Sequence, residues 1–462
     1  MKRINKKWII LIAIVLVAGL LLALAISSNA DSEDSLFKSG GGYSYGSILI
    51  TVIALAIPVL LIALTVVIAF VKDKSADESK ALGDTHAPSG SGAKADEAEA
   101  EENGERFCML CEIDKNKDSY KRKNYDKNIT LEEMCTNFRD YAASRLRLYY
   151  SMADIRKFVA GMAVSHILIL QGMSGTGKTS LAHAFGSFID NSSTIVPVQP
   201  MWKERSDLIG YYNEFTKKFN ETLLLEKMYE ANYSDDMYVT VLDEMNIARI
   251  EYYFAEFLSL LELPNPDERY IDIVSDKWDS DPEQFKDGRL KLPPNMWFIG
   301  TANNDDSTFA ISSKVYDRAM IMDLDNKSER YIAPKTDKIH ISYDQFNKMV
   351  AEALEEYEVS RRNMKRIEAF DKYLIEHMHL TFGNRIMKQI KTYIPVYVSC
   401  GGDELEALDD ILSKKVIRKL ETQNPIYLRN SVDGLIEYMD ELFGEDKMPL
   451  CKEYIRRIER NA

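Results

Sequence analysis

A glycine-rich loop between an apolar run and a helical pattern constrains this chain more than any other feature. The run is His166–Leu170, the loop Gly172–Thr179 reads Gly-Met-Ser-Gly-Thr-Gly-Lys-Thr, and the helical pattern starts at Ser180. In such a loop, backbone N–H groups surround phosphates, the lysine adds charge near the β- and γ-phosphates, and the threonine offers a hydroxyl to Mg²⁺. The sequence therefore predicts a nucleoside triphosphate site. The candidate phosphate-binding residues are Gly172, Met173, Ser174, Gly175, Thr176, Gly177, Lys178, Thr179 and Ser180, of which Lys178 is also a catalytic candidate and Thr179 a Mg²⁺ ligand.

A pair of adjacent carboxylates follows a second apolar run. Met237–Leu242 ends at Asp243 and Glu244. In phosphate-loop enzymes, an aspartate at such a strand end holds Mg²⁺, and a catalytic carboxylate or amide orients or deprotonates the attacking nucleophile. A solvated acidic strand end is the alternative, but the upstream phosphate loop favours catalysis. We expect Asp243 to bind Mg²⁺ and Glu244 to act on water.

The order of the apolar runs predicts an α/β fold. A third run, Met296–Gly300, follows the first two, and helical patterns lie between them. Alternating strands and helices form a parallel sheet that binds ligands at the carboxyl ends of its strands. Upstream, Thr130–Glu133 is a capping box that starts one helix, and Met152–Val164 predicts another. From about Ser342 the pattern is wholly helical, which predicts a separate helical domain.

Two apolar stretches near the N-terminus, Trp8–Ile26 and Ile48–Val71, have about the 20 residues that a membrane-spanning helix needs. Lysine and arginine flank the two stretches, whereas the loop between them is mainly acidic. The positive-inside rule then places both flanks in the cytoplasm. We expect an integral protein of a bacterial cell membrane with a cytoplasmic nucleotide site. Alternatively, Ser28–Ala30 marks the end of a cleaved signal peptide, and only the second stretch spans the membrane.

Charge and cysteine usage limit the possible partners. The formal net charge of −14 argues against a broad basic surface, so nucleic acid is not an expected partner. Five cysteines form no dense even framework, which is typical of a reducing compartment. Cys108 and Cys111 have the spacing of half a zinc knuckle, but no second pair follows at a usable distance. The sequence leaves open whether these two residues bind a metal.

The segment Leu242–Phe254 resembles the second nucleotide motif of the McrB-like and dynein-related (MoxR-like) branch of AAA+ ATPases. The resemblance extends over roughly residues 160–425, through Ser206–Tyr212, Gly300–Asn303 and Val315–Arg318. It implies an AAA+ parallel-sheet domain with a helical lid, in a ring that is commonly a homo-hexamer with active sites between subunits. The expected divisions are residues 1–72 for two transmembrane helices, 73–105 for a flexible acidic linker, 106–160 for a helical extension, 161–335 for the nucleotide-binding core, and 336–462 for the lid and C-terminal helices.

The resemblance also implies roles for three further residues. Asn303 is the sensor that positions the attacking water, and Arg318 is the arginine finger that reaches the nucleotide of the adjoining subunit. Arg385 is the second sensor, which contacts phosphate in its own subunit. Each has a simpler alternative: a turn cap for Asn303, an ion pair with Asp317 for Arg318, and a solvated helix face for Arg385.

The segments Arg269–Val274 and Arg289–Leu292 flank a polar excursion that contains Trp278–Asp281. They are similar to the hairpin that this branch inserts before its first sensor. With Gly210–Tyr212, such a hairpin can point into a central pore and grip substrate. A simple surface hairpin is the alternative.

These observations lead to one principal hypothesis and two alternatives. The first is a membrane-anchored ring ATPase that hydrolyses ATP with Mg²⁺ to remodel an unidentified protein client or complex near the membrane. The second is a McrB-like, nucleic-acid-directed motor that works with a separate nuclease. GTP is an alternative nucleotide for such a motor, although Ala302–Asp306 departs from the GTP-associated pattern. The third is a nucleotide-gated scaffold with little turnover, against which the intact Asp243 and Glu244 argue.

Overall fold

The computed structural model describes residues 105–126, 128–303, 308–325 and 328–461. The two apolar N-terminal stretches and linker residues 73–104 lie outside these ranges, so the membrane helices stay a prediction. Within the described ranges, the structure contains no helix that is both long enough and apolar enough to span a bilayer.

A five-stranded parallel sheet forms the centre of the nucleotide-binding part, as the sequence predicts. Its strand order is β2-β5-β8-β1-β9, and every neighbouring pair is parallel. Two antiparallel hairpins, β3-β4 and β6-β7, lie outside this sheet. The strands of the described residues are β1 Ile167–Gly172, β2 Thr194–Pro197, β3 Gly210–Asn213, β4 Lys218–Glu221, β5 Tyr238–Asp243, β6 Tyr270–Asp272, β7 Arg289–Lys291, β8 Met296–Asn303 and β9 Met320–Asp323.

Helices cover both faces of the sheet and form the C-terminal part of the chain. In the described residues they are α1 Met109–Lys115, α2 Leu131–Leu146, α3 Met152–Val164, α4 Lys178–Phe188, α5 Arg205–Ile209, α6 Leu223–Ala231, α7 Ile250–Tyr253, α8 Ala255–Leu260, α9 Ser313–Arg318, α10 Tyr343–Glu356, α11 Arg361–Met378, α12 Asn384–Ser399, α13 Glu404–Lys415, α14 Pro425–Phe443 and α15 Pro449–Asn461.

The core lies on the two faces of the sheet because successive strand residues point to opposite sides. In β1, Leu168 and Leu170 belong to one buried cluster, whereas Ile167 and Ile169 belong to the other. The first cluster includes α2, α3, α4 and the C-terminal helices. The second includes α1, α6, α8 and both hairpins. Burial on both faces explains why the central strands read as continuous apolar runs.

The capping box at Thr130 and the bounds of α3 are confirmed. The C-terminal part is helical as expected, but it is not separate in its packing. Its apolar side chains, including Ile390 and Tyr393 of α12, share a hydrophobic cluster with Phe158 of α3 and the sheet. The amphipathic face of α12 covers the nucleotide-binding part, so lid and sheet are stabilised together.

Candidate active site

The phosphate loop has the strand, loop and helix that its sequence predicts. Strand β1 ends at Gly172, and α4 begins at Lys178, two residues before the expected start. Gly172, Gly175 and Gly177 have φ values of 145°, 78° and 97°, which favour glycine because it lacks a Cβ atom. The N–H groups of the first turn of α4 and of the loop backbone form a natural anion site.

Lys178 and Tyr150 hold the loop from its two sides. The Nζ atom of Lys178 donates to the carbonyl oxygens of Gly172 (3.0 Å) and Met173 (2.7 Å), and the residue is buried. The Tyr150 hydroxyl donates to the carbonyl oxygen of Gly177 at 3.1 Å. Because Tyr150 precedes α3, the helical extension supports the phosphate loop directly. Tyr150 is itself buried in the hydrophobic core.

An open cavity brings the phosphate loop together with Asp243, Glu244, Thr301 and Asn303. These four residues stand at or just beyond the carboxyl ends of the neighbouring strands β5 and β8. The expected position of the site at the carboxyl edge of the sheet is therefore observed. The cavity also includes Thr301. This residue lies within the Gly300–Asn303 motif, but the sequence alone assigned it no role.

Asp243 carries the hydroxyl contacts that suit a magnesium ligand. Its Oδ1 atom accepts hydrogen bonds from Thr179 Oγ1 at 2.7 Å and from Thr301 Oγ1 at 2.8 Å. A carboxylate and a hydroxyl are hard oxygen ligands of the kind that Mg²⁺ takes. Thr179 and Asp243 thus fit the predicted pair of metal ligands, and Thr301 fixes the carboxylate through the same oxygen atom.

Glu244 has a left-handed backbone conformation, with φ 53°. Its N–H donates to Thr301 Oγ1 at 2.9 Å, and the residue is exposed at the cavity. Non-glycine residues in this conformation are strained and tend to cluster at active sites. The turn separates the two carboxylates, so that Asp243 faces the two hydroxyls while Glu244 remains accessible to water.

A reciprocal contact between two asparagines joins the loop after β5 to the end of β8. Asn246 Nδ2 donates to the Asn303 carbonyl oxygen at 2.9 Å, and the Asn303 N–H donates to Asn246 Oδ1 at 3.3 Å. The predicted sensor Asn303 is thereby fixed relative to Glu244. Sequence reasoning misses this positioning contact of Asn246, although its place two residues after Glu244 in the motif could have indicated it.

Gly300 is required by the close approach of β8 to the turn after Glu244. A Cβ atom at this position would lie 1.8 Å from the Sδ atom of Met245, which is fully buried. We expect Gly300→Ala to lower the free energy of unfolding by about 1–3 kcal/mol, because overpacking forces side chains and backbone to shift. Urea unfolding measures this loss. Gly434→Ala, where the nearest atom to a Cβ would be the Tyr373 hydroxyl oxygen at an ordinary 3.5 Å, is the control; a loss of stability in Gly300→Ala no larger than in this control would contradict the prediction.

Arg318 lies at the opposite end of the sheet from the phosphate loop. It ends α9 just before β9, and its carbonyl oxygen accepts from Ser165 Oγ at 3.1 Å. Its Nε atom pairs with Glu262 Oε2 at 2.7 Å, and Nη1 donates to the Lys314 carbonyl oxygen at 3.0 Å. The alternative that Arg318 pairs with Asp317 is therefore wrong. Arg318 pairs with Glu262, and the carboxylate of Asp317 lies 3.8 Å from the amine of Lys419.

Arg385 lies beside Arg318 and does not line the cavity around the phosphate loop. Its Nη2 atom is 2.8 Å from Glu262 Oε1. The first half of α12 packs beside the end of α9, where Gln389 Nε2 donates to the Asp317 carbonyl oxygen at 3.4 Å. The structure therefore does not bring Arg385 to the phosphate loop of its own subunit, which was the position that the resemblance implied.

Lys415 joins the lid to the end of α9. Its Nζ atom donates to the carbonyl oxygens of Tyr316 (2.8 Å) and Ala319, and burial lowers the pKa of this lysine to about 7. Between pH 7 and the usual lysine pKa of 10.5, the unfolded chain binds a proton that the folded chain lacks. The free energy of unfolding therefore rises with pH across that window. Below pH 7 both states bind the proton, and the buried charge of Lys415 costs the folded state its full penalty.

Replacing Lys415 by methionine tests that dependence. We expect the wild-type free energy of unfolding to rise between pH 7 and pH 9 by about 1 kcal/mol per pH unit more than in Lys415→Met. Denaturant unfolding at several pH values measures both slopes. The exposed Lys348 is the control, and Lys348→Met should retain the wild-type slope. Parallel slopes for Lys415→Met and wild type would contradict the shifted pKa.

The predicted hairpin before the sensor strand is present as β6-β7. Arg106, from the helical extension, holds the polar excursion between its strands: it forms a buried ion pair with Asp281 at 2.7 Å and lies 4.4 Å from the Trp278 ring centroid. The other hairpin, β3-β4, carries Phe215 in its turn, 98% exposed. The hairpins are thus ordered insertions, one of which presents an apolar tip.

Within the described residues, no metal cluster accompanies the cysteine pair. In the ranges that the structure describes, no three histidine, cysteine or carboxylate side chains are grouped as metal ligands, and Cys108 and Cys111 are free thiols. Burial, with neighbouring carboxylates, raises the pKa of Cys111 to about 12, so its thiol stays protonated.

Comparisons with known proteins agree with the geometry of the site. Residues 167–319 match the model of the AAA domain of the dynein-related subfamily, and residues 335–462 match a domain of unknown function, DUF8727. The first match contains the phosphate loop, Asp243, Glu244, Asn303 and Arg318, and the second contains Arg385. Fold and site thus define an AAA+ nucleotide hydrolase. The protein is an ATP-hydrolysing enzyme with a dynein-related AAA domain.

One solved structure aligns with most of this chain. It is described provisionally as an ATPase from Cytophaga hutchinsonii, is 13% identical, and aligns with a TM-score of 0.45 over 72% of this chain and 98% of that chain. At that TM-score the likeness carries no conclusion about fold or activity. No curated protein matches the chain.

Proposed function

We propose that the protein works as a ring of identical subunits, expected to be a hexamer, in which Arg318 of one subunit completes the ATP site of its neighbour. The ring uses ATP hydrolysis to remodel a protein client or complex near the membrane. The observation that carries this proposal is the separation of Arg318 from the phosphate loop within one subunit.

The register of the sheet gives the scale of this separation. Leu168 of β1 pairs with Met320 of β9, so Arg318 is level with His166 at the amino end of β1. The phosphate loop begins at Gly172, six residues further along, which corresponds to roughly 20 Å at about 3.3 Å per residue. One arginine side chain does not span that distance while bound to Glu262. A second subunit can place Arg318 against the open cavity.

Within the site, each side chain has a defined chemical task. Glu244 accepts a proton from the attacking water, and Asn303 fixes that water from the neighbouring strand. Lys178 and the loop N–H groups stabilise charge on the β- and γ-phosphates. Mg²⁺ held by Thr179 and Asp243 would supply further charge stabilisation on the phosphate oxygens. Arg318 adds positive charge at the γ-phosphate from the adjoining subunit.

The remodelling part of the proposal is supported by the inserted hairpins. Phe215 at the tip of β3-β4 is almost fully exposed, and an exposed aromatic side chain on an ordered hairpin is suited to gripping an apolar client segment. The membrane part is supported by Trp8–Ile26 and Ile48–Val71, whose length and flanking charges fit spanning helices.

The ring proposal is tested by measuring ATP turnover and mass together. Full-length protein in detergent is diluted through its assembly range, with sedimentation reporting mass. We expect turnover per subunit to fall as the oligomer dissociates, because each monomer lacks Arg318 from a neighbour. Constant turnover from a strict monomer would overturn the ring mechanism.

The client is tested with a trapped motor. Glu244→Gln protein, crosslinked in its own membranes with ATP, should retain a protein that wild type releases. In parallel, duplex DNA is added to the wild-type turnover assay. A several-fold stimulation by DNA, with no retained protein, would support the nucleic-acid-directed alternative instead.

A further inference from the structure

Glu262 binds two arginines at once, although the sequence motifs assign it no role. Its Oε2 atom lies 2.7 Å from Arg318 Nε, and its Oε1 atom lies 2.8 Å from Arg385 Nη2. Each carboxylate oxygen therefore takes one guanidinium group. The two arginines come from α9 and α12, which are far apart in the chain but share this single acceptor.

The charge of this cluster explains why the shared carboxylate matters. Two guanidinium groups and one carboxylate leave a formal charge of +1, and like charges this close repel each other. Glu262 and Arg318 are about three-quarters buried, at 27% and 25% side-chain exposure, whereas Arg385 is 50% exposed. Without Glu262, the repulsion between the arginines is no longer offset. The carboxylate is what keeps both positive groups in one place.

The backbone around the cluster is held by further contacts. Arg318 Nη1 binds the carbonyl oxygen of Lys314, Gln389 binds that of Asp317, and the buried Lys415 binds those of Tyr316 and Ala319. Helix α9 and the lid are thus joined at the point where both arginines emerge. Catalytic groups placed on a supported frame keep their geometry when the reaction occurs.

We propose that Glu262 is a positioning residue that holds Arg318 and Arg385 as one cationic pair for the triphosphate of the neighbouring subunit. This inference rests on the proposed ring function and deepens it. In this arrangement Arg385 contacts the nucleotide of the neighbouring subunit and not that of its own subunit. The reason is that Arg385 and Arg318 bind the same carboxylate. Positioning, rather than contact with substrate, is the role of Glu262.

The first test is the kinetics of full-length Glu262→Gln. We expect kcat to fall roughly 10-fold to 100-fold, since misplacing a catalytic group by about 1 Å has that effect. KM should stay within about twofold, because the subunit's own phosphate loop still binds ATP. Glu256→Gln is the matched control, since Glu256 is a similarly exposed glutamate paired with Arg205 at 2.7 Å. A kcat of Glu262→Gln equal to that of the control would overturn the proposal.

The second test assigns the arginines to a subunit. Lys178→Ala lacks a working phosphate loop but keeps Glu262 and both arginines, whereas Arg385→Ala keeps its phosphate loop. Neither should hydrolyse ATP well alone. If Arg385 acts on the neighbour, mixed rings regain activity at interfaces where an intact phosphate loop meets an intact arginine pair. For Lys178→Ala mixed with Arg385→Ala, we expect several-fold more turnover than the sum of the two variants measured separately. Glu262→Gln mixed with Lys178→Ala should show the same recovery.

The outcomes separate this inference from the ring proposal. If mixed rings form but Arg385→Ala shows no recovery, Arg385 acts within its own subunit and the inference is wrong, even though wild-type rings hydrolyse ATP. If wild-type turnover does not depend on assembly, the ring proposal itself fails. Should Glu262→Gln fail to fold, as thermal unfolding would reveal, the Arg385→Ala mixture still decides the assignment.

Discussion

Replacing Glu244 by glutamine is expected to lower the rate of ATP hydrolysis by about 10²–10⁴-fold, the usual contribution of a general base. The amide has nearly the shape of the carboxylate but cannot accept the proton of the attacking water. ATP affinity should change little, because the phosphate loop, Thr179 and Asp243 are untouched. Steady-state turnover and direct nucleotide-binding measurements on the same preparation test both statements.

The structure supports Glu244 rather than Asp243 as the base. Asp243 Oδ1 already accepts hydrogen bonds from Thr179 and Thr301, whereas Glu244 is exposed at the cavity. Glu268→Gln is a suitable control, since this exposed glutamate lies away from the cavity. Near-normal turnover in Glu244→Gln would reject the assigned base. A loss of ATP binding would instead show that the variant disturbs the phosphate loop.

Removing the Arg318 side chain should have a comparable or larger effect. An arginine supplied to a γ-phosphate contributes about 10³–10⁵-fold to the rate in phosphate-loop enzymes. We expect Arg318→Ala to reduce kcat by at least about 10³-fold, while each subunit still binds ATP with its own loop. The measurement combines turnover, nucleotide binding and sedimentation, so that a catalytic defect is distinguished from loss of the ring.

Arg456→Ala provides the control for Arg318→Ala. Arg456 is an exposed arginine of α15 that pairs with Asp433 at 2.8 Å and with Glu459, so its removal deletes ion pairs without touching the site. Wild-type turnover in this variant is expected. If Arg318→Ala rings were to hydrolyse ATP as fast as Arg456→Ala rings, Arg318 would be only the ion-pair partner of Glu262.

Local patterns made much of the fold and part of the site predictable. The phosphate loop, the strand that ends at Asp243 and the helix Met152–Val164 each depend on residues close together in the chain, where spacing and apolar runs carry the information. Hydrogen bonds over long sequence separations were not predictable. The contact of Asn246 with Asn303 spans 57 positions, and its chemistry depends on two strands becoming neighbours.

The placement of Arg385 shows where a family resemblance stops being informative. A motif can indicate that an arginine contributes to the site. The direction in which its side chain points depends on how the lid packs against the sheet. Here α12 packs beside the end of α9, so that Arg385 meets Glu262 and Arg318. The ion pair between Arg106 and Asp281 is a second example, since 175 positions separate the two residues.

Local sequence alone was enough to predict a triphosphate site on a parallel sheet, with adjacent carboxylates expected to serve Mg²⁺ and water. Those properties follow from short segments whose backbone conformation and side-chain chemistry are local. The convergence of Arg318 and Arg385 on Glu262, at the end of the sheet away from the phosphate loop, became evident only from the folded chain. That arrangement comes from the burial of the apolar faces of α12 and α13 against the sheet domain, which no local pattern specifies.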